Sequence, residues 1–241
     1  MAGPRLYLIP GMGVDGRLFD RQRSLALDVR VIEWPTPQRE ETFSQYVARM
    51  TEGVDASAPF YLGGVSLGGM AAIEMTRRLR PRGVFLISSC CSPAGIPAWY
   101  WTPGMLACRL PAPVSRLLAT AGMMSPWPFG PMSWDARRLM LRMVWESPPA
   151  TVAWQMRAVL RWTAPPPCET PIFQIHGRHD RMLPLRLKSR DMVVDGAGHL
   201  LNVTHAERVN RFIMARISEM EMRSATPPQD ELPGPRRATQ R

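Results

Sequence analysis

Short apolar runs alternate with amphipathic stretches through the first third of the chain, and this alternation limits the fold more than any other feature. Residues 6–9, 29–34, 60–65 and 83–88 read as strands. Between them, residues 17–27, 43–54 and 67–79 read as helices; in the second, Phe43, Tyr46, Val47, Met50 and Val54 recur at helical spacing. Near-continuously apolar strands separated by helices must be covered on both faces, which is how a parallel α/β sheet is built. The pattern stops at Pro93. From there to Pro167 the chain turns rich in Trp, Met and Pro, with helical periodicity over 137–145 and 152–162. Strands resume at 171–175 and 192–194, and a last helix spans 203–220 with Val203, Val209, Phe212, Ile213 and Ile217 on one face. The expected organisation is a core of residues 1–92 and 168–222, a helical insertion over 93–167, and a disordered Pro/Arg-rich tail over 223–241.

Composition narrows the function. At 241 residues and 45% hydrophobic, the chain has ample length for a core and is too apolar for disorder, yet no apolar run approaches the ~18 residues of a membrane span. The net charge of +10 raises the possibility of a polyanionic partner. Lys188 is the sole lysine, however, and near-complete use of Arg fits the coding bias of a GC-rich genome. The densest cluster, Arg77, Arg78, Arg80 and Arg82, ends a predicted helix, where cations belong, and lacks interleaved aromatics. No nucleic-acid partner is expected. The N-terminus lacks a signal-peptide pattern, and Cys90, Cys91, Cys108 and Cys168 show no metal spacing, so a reduced cytoplasmic protein without metal or cofactor is expected.

The sharpest motif is Gly64-Val65-Ser66-Leu67-Gly68, between a predicted strand and a predicted helix. Small residues two positions either side of a serine let the backbone reverse tightly and lift the hydroxyl above the sheet. The helix that follows contributes free N–H groups and a dipole that favour developing negative charge. Here the chain resembles the α/β-hydrolase family. The resemblance covers roughly residues 6–96 and 171–220, and it implies a mostly parallel sheet of about six strands with helices on both faces and a helical cap. It also implies the chain order serine, acid, histidine.

On that resemblance, Ile175-His176-Gly177-Arg178-His179-Asp180 is similar to the acid-bearing turn, which assigns the acid to Asp180, and Gly196-Ala197-Gly198-His199 to the histidine loop. Asp191 and Asp195 stay as rivals for the acid, and pairing with Arg178 or Arg181 as a structural alternative for Asp180. His176 reads as a core histidine bracing the acid turn, His179 as a neighbour of the pocket rim, and His205 as a helix residue. The loop Ile9-Pro10-Gly11-Met12-Gly13 matches the family's oxyanion loop with Pro10 in place of the usual histidine. The backbone N–H groups of Met12 and Leu67 are the implied oxyanion donors. The same loop reads Gly11-x-Gly13-x-x-Gly16, a dinucleotide pattern with Glu33 as candidate ribose acid; the downstream serine, acid and histidine weigh against it.

Serine at the elbow fits acyl transfer, which leaves esters of small to medium apolar substrates as the first expectation. Thioesters or acyl transfer from an acyl carrier or CoA is the alternative, with the Arg-rich surface as the attraction, and a non-catalytic ligand-binding protein the third. The Trp and Met of the insertion suit an apolar pocket wall, with Trp99, Trp101 and Met105 as candidates.

Overall fold

The computed structural model of the protein describes residues 3–97, 106, 109–167, 169–184 and 191–225. Its strands are β1 (Arg5–Ile9), β2 (Asp28–Val31), β3 (Phe60–Val65), β4 (Val84–Ile87), β5 (Ile172–Gly177) and β6 (Met192–Val194). They form one six-stranded sheet in the order β2-β1-β3-β4-β5-β6, and every neighbouring pair is parallel. The helices are α1 (Phe43–Met50), α2 (Leu67–Met75), α3 (Ala112–Met124), α4 (Pro126–Phe129), α5 (Trp134–Glu146), α6 (Pro149–Arg161), α7 (Leu201–Thr204) and α8 (Ala206–Ala225).

The two-residue period of each strand divides its side chains between two cores. Tyr7, Ile9, Phe60, Leu62, Val84 and Leu86 meet α1 and α2 on one face. Leu6, Leu8, Tyr61, Val65, Phe85 and Ile87 meet Val209, Phe212, Ile213 and Ile217 of α8 on the other. Both faces are covered, which explains why all six residues of β3 are buried. The helices α3–α6 lie in the chain between β4 and β5. The chain runs from β1 outward to β2 and returns to place β3 on the opposite side of β1. The loops leaving β1 and β3 therefore diverge, and a crevice opens at their carboxyl ends.

Three elements differ from the sequence pattern. Residues 17–27 do not form a full helix. A 3-10 turn covers only Gly16–Phe19, where the Asp15 side chain accepts from the Arg17 N–H. Beyond it, the fully buried Gln22 donates from Nε2 to the Asn202 carbonyl and to Asn210 Oδ1, so tertiary bonds outweigh local periodicity. The helix after Ser66 ends at Met75 rather than Leu79, with the Thr76 hydroxyl bonded back to the Ile73 carbonyl. The final helix is two helices, broken at His205 (φ −128°, ψ 40°), and the second runs on through Ala225.

Candidate active site

Ser66 joins β3 to α2 with φ 54° and ψ −119°, a conformation that costs an L-residue energy and holds only where its surroundings enforce it. The enforcement is visible. The Ser66 N–H bonds to the Ile87 carbonyl (3.1 Å), and its own carbonyl accepts from Gly69 N–H (3.0 Å) and from Ser89 Oγ (2.6 Å). Gly64 and Gly68 are glycines because the two sides of the turn touch: a Cβ on Gly64 would lie 2.6 Å from Gly69 N and closer still to the Gly68 backbone. Leu67 is the first residue of α2, so no carbonyl one turn earlier accepts its N–H.

The loop after β1 is held from three sides. Trp34 Nε1 donates to the Gly11 carbonyl (3.0 Å), Gly13 N–H donates to Gln155 Oε1 of α6 (3.0 Å), and Ser147 Oγ donates to the Gly13 carbonyl (2.9 Å). Gly13 has φ +66°, a backbone conformation that would strain a residue with a Cβ even though the space beside it is open enough to take one. Met12 sits between these anchored glycines.

Asp180 follows β5 and is buried to 3% exposure. Three donors converge on its carboxylate: His199 Nδ1 at 2.8 Å, His176 Nε2 at 3.1 Å and the Leu183 N–H at 3.0 Å. Burial would raise its pKa, but the facing charge of His199 and the hydrogen bonds from both histidines outweigh it, so the carboxyl is held below the ordinary carboxylate range. His176 Nε2 also donates to the Leu183 carbonyl (2.7 Å), which fixes the turn that carries Asp180, while its Nδ1 is buried without a hydrogen-bond partner among the described residues. His199 follows Gly198 in the loop after β6, and its N–H bonds to the Phe129 carbonyl (2.8 Å). With Nδ1 engaged by Asp180, Nε2 is the ring nitrogen left to exchange a proton with a neighbour.

Ser66, His199, Met12 and Leu67 line one cavity of about 700 Å³, bounded on the far side by residues of α3 to α6. The volume lies in the range of small-molecule sites. Trp99, Trp101 and Met105 lie outside the described residues, and the wall among those described comes instead from side chains such as Met123, Met140, Val144, Val152 and Met156.

A sequence model described as the Alpha/beta hydrolase family matches residues 6–212. The chain belongs to the alpha/beta hydrolase family. Solved structures agree on the fold. An esterase from Thermogutta terrifontis superposes with a TM-score of 0.72 at 17% identity, covering 91% of each chain. The enol-lactonase from Burkholderia xenovorans LB400 gives 0.73 at 16% identity, covering 90% of this chain and 92% of its own. ClbQ from the colibactin NRPS/PKS pathway gives 0.63 at 18% identity, covering 92% and 99%. No curated protein sequence matches significantly.

Within this alpha/beta hydrolase the rival groups are engaged elsewhere. Asp191 accepts from the Gln174 N–H (2.7 Å) and faces Arg216, and Asp195 is paired with Arg178 at the surface. His205 bonds to Thr204 Oγ1, and the exposed His179 contributes its N–H to the Ala197 carbonyl. Glu33 turns back to accept the Gly16 N–H (2.9 Å), so two amides of the glycine loop, those of Gly13 and Gly16, are taken by side chains rather than left for phosphate. Among the described residues no His, Cys, Asp or Glu cluster could hold a metal, and no helix is long and apolar enough to cross a membrane. Arg77 and Arg82 pair with Glu74 and Glu221, and Arg80 donates to the Thr76 carbonyl at the end of its helix.

The sequence carries no signal for Gln155, Ser147, Trp34 or Ser89. Each acts on the loop or the elbow from a distant part of the chain, and none falls in a motif. Gln155 is 1% exposed, and a buried lone amide in an amphipathic helix is the one hint that it has a specific partner.

Proposed function

We propose that the protein is a serine hydrolase cleaving carboxylic esters with apolar acyl or alcohol parts, through an acyl-enzyme on Ser66. The observation that carries this reading is one apolar cavity lined by Ser66 on its strained elbow, by His199 oriented by Asp180, and by the anchored loop at Met12. In this mechanism His199 Nε2 takes the Ser66 proton as Oγ bonds to the ester carbonyl carbon. The carbonyl oxygen, now negative, accepts from the Met12 and Leu67 N–H groups. The tetrahedral species collapses, the alkoxide leaves with the proton from His199, and Ser66 keeps the acyl group. Water then repeats the sequence: His199 takes its proton, hydroxide adds to the acyl carbon, and Ser66 departs with that proton to leave the free acid. Asp180 stays ionised and keeps Nδ1 protonated, so that Nε2 faces the serine as a base.

The second reading, hydrolysis or transfer of thioester-bound acyl groups, has support in the similarity to a protein of the colibactin NRPS/PKS pathway. An acyl carrier would be its partner.

The test combines labelling and turnover. A fluorophosphonate probe should label the protein at Ser66 and leave Ser66→Ala unlabelled, and p-nitrophenyl esters of small to medium apolar acids should turn over. Absence of both labelling and turnover would leave a ligand-binding role in the same cavity. Faster turnover of acyl-CoA than of any ester would favour the thioester reading.

A further inference from the structure

The wall of the cavity is hydrocarbon at almost every position, drawn from residues such as Leu118, Ala119, Met123, Val144 and Met156. Among its described lining residues, one carries a fixed charge: Arg116 of α3. Arg116 is half-buried, and a guanidinium N–H that is out of water without an acceptor carries a desolvation cost. Arg116 Nη2 donates to the Ser147 carbonyl (3.3 Å), a neutral acceptor, and its Nε is buried with no hydrogen-bond partner among the described residues. Among the described residues no carboxylate is ion-paired with it; Glu146, beside Ser147, is taken by Arg17.

The guanidinium is nonetheless held in place. Its central carbon lies 5.8 Å from the centre of the Trp145 ring, and that ring is pinned by a bond from Nε1 to Thr120 Oγ1 (2.8 Å). A braced guanidinium with a donor to spare is suited to an anion brought by the ligand. Its place relative to the chemistry is set by Ser147, whose carbonyl accepts from Arg116 while its hydroxyl donates to the Gly13 carbonyl. The anion and the reacting carbonyl would therefore be two ends of one molecule, joined by an apolar chain.

We propose that Arg116 anchors a carboxylate at the far end of the substrate's acyl chain, so that the preferred substrates are half-esters of dicarboxylic acids. This rests on the assignment of Ser66 as nucleophile. A planar two-pronged donor matches a carboxylate in bidentate fashion. The apolar wall then fixes the length of the chain between the two ends.

Two p-nitrophenyl ester series test this, one with a terminal carboxylate (succinate through sebacate) and one with a terminal methyl at matched lengths. At its best length the protein should prefer the carboxylate ester by about tenfold or more in kcat/KM, the ordinary worth of a charge-assisted hydrogen bond. Arg116→Gln should bring the ratio to about one, and Arg116→Lys, which keeps the charge without the fork, should retain part of it. A ratio of one or less at every length, or a ratio unchanged in Arg116→Gln, would overturn the proposal. So would an Arg116-dependent preference for acyl-CoA without discrimination between the ester series, since the anion would then be a phosphate. A binding arm needs no turnover. Ser66→Ala titrated calorimetrically should bind monomethyl adipate more tightly than methyl hexanoate, and Ser66→Ala/Arg116→Gln should not. If the wild type turns over neither series and Ser66 stays unlabelled while this difference survives, the nucleophile assignment fails and the Arg116 anchor stands. If Ser66 labels normally and the difference is absent, the anchor alone fails.

Discussion

The substitution Gly68→Ala concentrates the strain of the elbow into one methyl group. A Cβ at position 68 would lie 2.5 Å from the Pro10 carbonyl oxygen, 2.6 Å from the Ile9 carbonyl carbon, and closer still to the Ile9 carbonyl oxygen. Ordinary contacts of this kind begin near 3.4 Å, and all three atoms are backbone, so no side-chain rotation relieves them. Either α2 retreats from β1, or the end of β1 moves and takes the Gly11–Gly13 loop with it. Overpacking commonly costs about 1–3 kcal/mol, and contacts with rigid backbone put this case at the upper end, about 3 kcal/mol. For a domain of this size that corresponds to a loss of roughly 6–12 °C in melting temperature. The loop shift also displaces the Met12 N–H, so kcat/KM on a p-nitrophenyl ester should fall by at least about tenfold in the protein that remains folded. Gly53→Ala is the matched control, since a Cβ there meets nothing within 4 Å; it should leave stability level or raise it by up to about 1 kcal/mol. Thermal melts with steady-state kinetics on both variants decide the matter. A Gly68→Ala protein within ~2 °C of wild type and fully active would refute the reasoning, because the close approach of α2 to β1 would then not constrain the loop.

Gln155→Leu leaves the Gly13 N–H buried without its acceptor, so stability should drop by about 1–3 kcal/mol and kcat should fall more than KM rises, while Gln155→Glu, which keeps an acceptor, should recover much of the loss; urea melts and steady-state kinetics report both. Ser89→Ala removes the 2.6 Å bond to the Ser66 carbonyl and should cost about 1 kcal/mol in a thermal melt. Asp180 sets an acid limit. Its carboxyl is lowered in the folded state relative to the ordinary 3.8, so the unfolded chain takes up the proton first. The stability it contributes is complete above that value and is lost as pH falls below it toward the folded-state value. Urea melts of wild type and Asp180→Asn at neutral pH and near pH 3 should show the gap between them narrowing at the acid end.

Much of the fold was legible because it depends on neighbours in the chain. The strand at Phe60–Val65 and the start of α2 at Leu67 coincide with the apolar pattern. Met192–Val194 does so too. The stretch after Gly16 was not legible, since Leu18, Phe19 and Gln22 have helix-like spacing but are held by α7 and α8 residues that lie far along the chain. The break at His205 was hidden because no Gly or Pro stands there to mark it.

At the site the division is similar. The glycine–serine turn follows from a local rule, small residues where backbones must touch, whereas the order of serine, acid and histidine was implied only by the resemblance to the family. Which carboxylate faces His199 depended on folding, as Asp180, Asp191 and Asp195 are all near strand ends and only the placement of β5 against β6 sends the first inward. The sequence by itself determined a parallel α/β sheet with a serine on a strand-to-helix elbow, because periodicity and steric size act between residues a few positions apart. Tertiary structure alone decided that Gln155 holds Gly13 across 142 positions and that Arg116, on the wall of an apolar cavity, has no carboxylate partner among the described residues. Hydrogen bonding and desolvation are settled by what surrounds a group in space, and no pattern along the chain records that.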